Sequence, residues 1–99
     1  MFAVIFTARI KSFDDDYSTT AQRLRDLALT EFGCREFTAV TEGDQEIAVS
    51  TWDTREQIAA WKQHPAHQEA QRNGRERWYH SYDVKVVAIE REYAHGKPK

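Results

Sequence analysis

All three tryptophans of this 99-residue chain, three of its four histidines and two of its four tyrosines lie between Thr51 and Tyr82. Rings of that size each bury a large area when packed, so this run has to meet an interior or a partner rather than solvent. Its polar residues, His64, His67, Gln71, Arg72 and Arg75, then line a cavity or join two subunits. The run carries its own punctuation. Trp52 ends a β-prone segment, and Thr54-Arg55-Glu56-Gln57 matches a capping box. Pro65 disfavours helical geometry at His64 and suits the first position of a new helix. The stretch reads as strand end, helix, break, second helix and new strand.

The chain before it supplies a strand, a helix and a hairpin. Phe2 to Lys11 is apolar on both sides at first, then alternates, with Thr7, Arg9 and Lys11 on one side and Phe6, Ala8 and Ile10 on the other. Asp14, Asp15 and Asp16 suit a helix N-terminus, since carboxylates cap free N–H groups and complement the macrodipole. As a metal loop the same trio lacks the EF-hand spacing and its glycine. Tyr17, Ala21, Leu24, Ala28 and Phe32 then share one helical face, and Gly33 supplies the stop. Arg35–Thr41 and Glu46–Trp52 are β-prone runs joined across Gly43, a hairpin pattern. In the following helix Ile58 and Trp61 point inward, and Ala66, Ala70, Asn73 and Gly74 give the next one a narrow, small-residue face. Trp78 to Tyr93 reads as a long terminal strand, and residues 94–99 as a disordered polar tail on a single domain spanning 1–93.

Strand, helix, strand, strand, broken helix, strand is the order of a ferredoxin-like α+β fold, one antiparallel sheet with helices on one face. Ile5, Val49 and Val84 make the strands apolar on more than one side, so the open face needs cover. A second copy of the chain is the expected cover, with the C-terminal strand reaching towards it. Charge narrows the other partners. The net charge is −2, with acids and bases interleaved, and no basic stripe exists to neutralise phosphates. The longest apolar run, Met1 to Phe6, is too short to span a bilayer and lacks the features of a signal peptide. Neither nucleic acid nor membrane is an expected partner. Cys34 stands alone, which leaves no disulfide framework and makes a reducing, cytoplasmic setting the expected one.

The run EIAVSTWDTREQIAAWKQHPAHQEAQ, the pair Trp78-Tyr79 and the closing VKVVAIEREY resemble antibiotic biosynthesis monooxygenase (ABM) domains, over Phe2 to about Tyr93. The most specific points of likeness are Trp52, Trp61 and the His-Pro-x-His at His64 to His67. The resemblance implies a dimeric α+β barrel, in which two sheets pack face to face. It also implies an oxygenase that acts on a small aromatic or quinol-type substrate with O₂ and no bound cofactor. A separate branch degrades haem. Aligning that branch's pocket tryptophan with Trp61 puts its axial histidine at Gln71, a poor replacement for imidazole, and its first-strand Asn is missing, Asn73 being the only Asn. No cofactor and no metal are expected, and haem breakdown is disfavoured.

The same resemblance makes Trp61 a pocket wall, where spacing from Ile58 alone reads it as a core ring of an amphipathic helix. His67 is the candidate proton shuttle, against the plainer reading of a partly exposed helix histidine, while His64 reads as the cap ahead of Pro65. As a metal pair the two histidines lack a third ligand. Thr7, Arg9 and Arg72 are candidates for holding an anionic substrate, Arg72 against a solvated-rim reading, and Tyr82 for bonding a substrate oxygen. Trp61, His67 and one of Thr7 or Arg9 are expected to border one cavity between helices and sheet. The alternatives are a non-catalytic small-molecule-binding or stress-response dimer of the same fold, and a structural partner domain.

Overall fold

The computed structural model describes residues 1–96. Its elements run β1 (Phe2–Ile10), α1 (Asp15–Glu31), β2 (Glu36–Glu42), β3 (Gln45–Trp52), α2 (Arg55–Gln63), α3 (Pro65–Asn73), a π-helical turn (Gly74–Trp78) and β4 (Tyr79–Ala88). The four strands form one sheet in the order β2-β3-β1-β4, every neighbour antiparallel. This is the expected ferredoxin-like arrangement, with the second helix divided in two.

Local chemistry sets each boundary. Asp14 caps α1 by accepting from the Tyr17 N–H at 3.0 Å. Thr54 and Gln57 form the complete capping box of α2. His64 ends α2 and caps α3, its Nδ1 accepting from the Ala66 N–H at 3.0 Å, and Pro65 opens α3. The terminal strand is shorter than its sequence pattern: Trp78 belongs to the π-helical turn, and residues 89–96 hold no regular element. Of the tail expected at 94–99, residues 97–99 lie outside the described residues.

The register assigns the faces. Val4 lies opposite Ser50 and Val86, Phe6 opposite Ala48 and Val84, and Phe2 opposite Trp52, so these share the helix-facing side. Val84 therefore sits under the helices, on the face opposite that of Ile5 and Val49, so the strands carry apolar residues on both sides. The core joins Val4, Ala28, Cys34, Trp52, Ile58 and Trp61, with Leu24, Phe32, Phe37 and Val84 packed against it. The three indole N–H groups fasten different parts together: Trp52 to Ser50 Oγ at 2.9 Å, Trp61 to the Leu24 carbonyl at 3.2 Å and Trp78 to Asp14 Oδ1 at 3.0 Å. On the other face, Ile5 pairs with Val49, and Val40, Ile47 and Val49 stand exposed.

Candidate functional site

Between the helices and the sheet lies a cavity of about 190 Å³. A cavity of roughly 150 Å³ lined by apolar side chains holds a benzene ring, so this one has room for a substituted aromatic ring. Val4, Phe6, Ala48 and Val84 form its sheet wall, Leu24 and Ala21 its α1 wall, and Trp61, His67 and Gln71 the wall from α2 and α3.

Trp61 is buried, its ring 5.3 Å from that of Trp52 and 4.4 Å from His67, edge to face. Because its N–H is spent on Leu24, Trp61 offers the cavity a ring face and edge and no donor. The break at Pro65 turns α3 so that His67 folds back against Trp61, three residues beyond the α2 terminus at His64. Burial, with Lys62 nearby, lowers the proton affinity of His67 to about 4, which keeps the imidazole neutral at pH 7. Its Nδ1 is buried with no hydrogen-bond partner among the described residues.

Of the residues singled out from sequence, Trp61, His67 and Tyr82 border the cavity together. Thr7, Arg9 and Arg72 do not. Thr7 and Arg9 lie on the open face of β1, where Thr7 donates to Asp83 and Arg9 pairs with Asp44 at 3.0 Å. The strand's parity was right, but the polar side of β1 is the one turned away from the helices. Arg72 points to solvent beside Glu69 at 4.0 Å. The expectation of a Thr7 or Arg9 contribution to this cavity is therefore corrected. Tyr82 lines the cavity with its ring stacked on Phe6 at 5.7 Å, and its hydroxyl accepts from Arg75 at 3.3 Å.

The polar group that the sheet does contribute is Glu46, which is buried, with Tyr79 Oη 3.5 Å from both its carboxylate oxygens. Alternation from Trp52 through Ser50 and Ala48 leads to Glu46 on the same face, a signal the sequence contained. Tyr79 was harder to place. A register shift between Arg9 and Ile10 brings it to the helix-facing side, although Tyr82 three residues on faces the same way. Burial raises the proton affinity of Glu46, and burial with the Glu46 charge raises that of Tyr79. Gly74 makes room for the tyrosine: a Cβ there would stand 3.0 Å from Tyr79 Cδ2.

Such a sheet, with helices and a ligand-sized cavity on one face, defines a ferredoxin-like α+β domain with a pocket. The particular family follows from comparison. The model of the antibiotic biosynthesis monooxygenase family matches residues 1–73. The chain is 38% identical over 92 residues to YqjZ of Bacillus subtilis, a protein of uncharacterised activity, covering 92% of this chain and 81% of YqjZ. It belongs to the antibiotic biosynthesis monooxygenase family. Among solved structures it is similar to SnoaB, a cofactor-independent oxygenase from Streptomyces nogalater, with a TM-score of 0.77 at 8% identity over 95% of this chain and 97% of SnoaB. It is also similar to Rv0793 from Mycobacterium tuberculosis, with a TM-score of 0.68 at 18% identity over 94% and 98% of the two chains. At these identities the likeness to solved structures concerns the fold.

Proposed function

We propose that this chain is a cofactor-independent oxygenase of a small, electron-rich aromatic of phenol or quinol type, acting in the cavity walled by Trp61 and His67. The observation that carries the reading is the pairing of that largely apolar space with a neutral imidazole packed against Trp61. Family membership and the SnoaB-like fold support it. In this chemistry the substrate supplies the electrons. Loss of a proton gives its anion, which passes one electron to O₂. Recombination of the radical pair forms a C–O bond and a peroxide. Where the oxygenated carbon began as a CH₂, breaking the O–O bond with loss of the remaining C–H leaves a carbonyl and one water.

The roles follow from the geometry. Trp61 is the flat wall that orients the ring. His67 borders the cavity, and its low proton affinity lets it pass the proton lost by the substrate on to a departing peroxide oxygen rather than keep it. Tyr82 and Gln71 bound the remainder of the cavity. A homodimer closing the open sheet face completes the proposed assembly. The test is oxygen uptake by purified protein with a panel of hydroquinones, naphthoquinols and anthrones. Substrate-dependent consumption that falls sharply in His67→Ala is expected. Uptake at the uncatalysed rate with the whole panel, despite ligand binding, would leave a binding protein of the same fold.

A further inference from the structure

The sheet wall of the cavity carries one carboxylate, and the roles assigned above do not use it. Glu46 stands opposite Ala8 of β1 and Thr41 of β2 and is 7% exposed. An ionised carboxylate offers about four acceptor positions. Here both oxygens lie at 3.5 Å from a single donor, Tyr79 Oη, at the outer limit of a hydrogen bond. That hydroxyl is also 3.5 Å from Tyr17 Oη, so even this donor is shared. No ion pair among the described residues includes Glu46. A buried acid with so few partners is costly to keep, and its unused acceptor capacity belongs to the wall of a ligand-sized space.

We propose that Glu46 is the base of this site, taking the hydroxyl proton of a phenol or quinol bound in the cavity while Tyr79 holds the carboxylate in place. The ligand O–H bond breaks, an O–H bond forms on a Glu46 oxygen, and the electron pair stays on the ligand as a phenolate. The negative charge thereby moves from a buried carboxylate to a delocalised ring, and the neutral acid left behind is the form burial favours. The other titratable and charged groups lining the space are Tyr17 and Arg25 of α1, Lys62 of α2, His67 of α3, and Tyr79 and Tyr82 of β4. Arg25 and Lys62 are in no ion pair among the described residues, so their charge favours the ligand anion. Tyr79 holds its own proton more firmly than a free phenol, which suits a group that donates a hydrogen bond and keeps the proton. His67, with its proton affinity down at about 4, is the weaker candidate for this first step.

The inference deepens the proposed function and rests on the cavity being its phenol site, not on the oxygen chemistry. It is tested with 4-nitrophenol under nitrogen, in mildly acidic buffer where the free phenol is protonated and its anion is coloured. Wild-type protein is expected to bind it as the phenolate. Glu46→Gln is expected to bind it with about tenfold less phenolate or lower. Difference infrared spectra of the wild type are expected to gain a protonated-carboxyl band on binding, a readout that stands even if the variant fails to fold. Equal ionisation in Glu46→Gln, no carboxyl band in the wild type, or no binding of the phenol would overturn the assignment. Ionisation through Glu46 without oxygen uptake on any quinol would leave the assignment standing and remove the oxygenase reading.

Discussion

Below pH 6.5 the buried imidazole of His67 sets folding against protonation. The unfolded chain takes up a proton near 6.5, whereas the folded chain resists until about 4. Stability from this group is therefore full above pH 6.5 and is lost as pH falls, by a total on the order of 3 kcal/mol. Urea unfolding across that range should show His67→Phe losing less stability on acidification than wild type. Glu46 carries the opposite sign. Its folded proton affinity is raised, so its contribution is fullest in acid and is lost as pH climbs through the folded value. Glu46→Gln is expected to be more stable than wild type at neutral pH, with the difference disappearing in acid; equal stability at both would contradict the burial cost. Trp61→Ala removes a ring that is 6% exposed and should cost about 3–5 kcal/mol. Trp61→Phe should fold and alter ligand affinity, since it keeps an aromatic wall but loses the bond to Leu24.

Much of the element order was legible because the signals are local. The capping box at Thr54, the break at Pro65 and the acidic start at Asp14 act within four residues of themselves, and all three stand where the sequence placed them. What failed was long-range. Alternation along β1 separated Thr7 and Arg9 from Phe6 and Ala8, but which side meets the helices depends on pairing with β3 and β4. Tyr79 was hidden by a register shift and a π-helical turn, neither of which leaves a period in the sequence. Such turns recur at functional sites, and here the turn sets the Tyr79 ring against Gly74. Gly74→Ala gains about 1 kcal/mol of helix propensity and loses about 1–3 kcal/mol to crowding of that ring. A folded protein with an altered near-ultraviolet dichroism of its tyrosines and a weakened hold on phenols is the expected outcome. An unchanged ring environment would show that the contact yields freely.

At the scale of the molecule, two sheet faces have different fates. One is closed by helices around the cavity; the other exposes Val40, Ile47 and Val49, with Ile5 beside them. An apolar patch of this kind, beside the polar Thr7 and Arg9 of the same face, calls for cover, and a homodimer burying more than about 1,200 Å² in total is the expected answer. Sedimentation should give a dimer at micromolar concentration and a monomer for Val49→Lys; a stable wild-type monomer would remove the barrel assembly. Among the described residues no helix is long and apolar enough to cross a membrane. The central claim is that chemistry on a phenol takes place inside the cavity between helices and sheet. Ala48 lies on its sheet wall, and Ala48→Phe fills the space without touching Glu46, His67 or Trp61 by substitution. The deciding measurement is quinol-dependent oxygen uptake by this variant beside wild type, with thermal unfolding run on both. Loss of uptake in a folded, cavity-filled protein is what the account predicts. Undiminished uptake with the cavity filled would place the reaction elsewhere and contradict it.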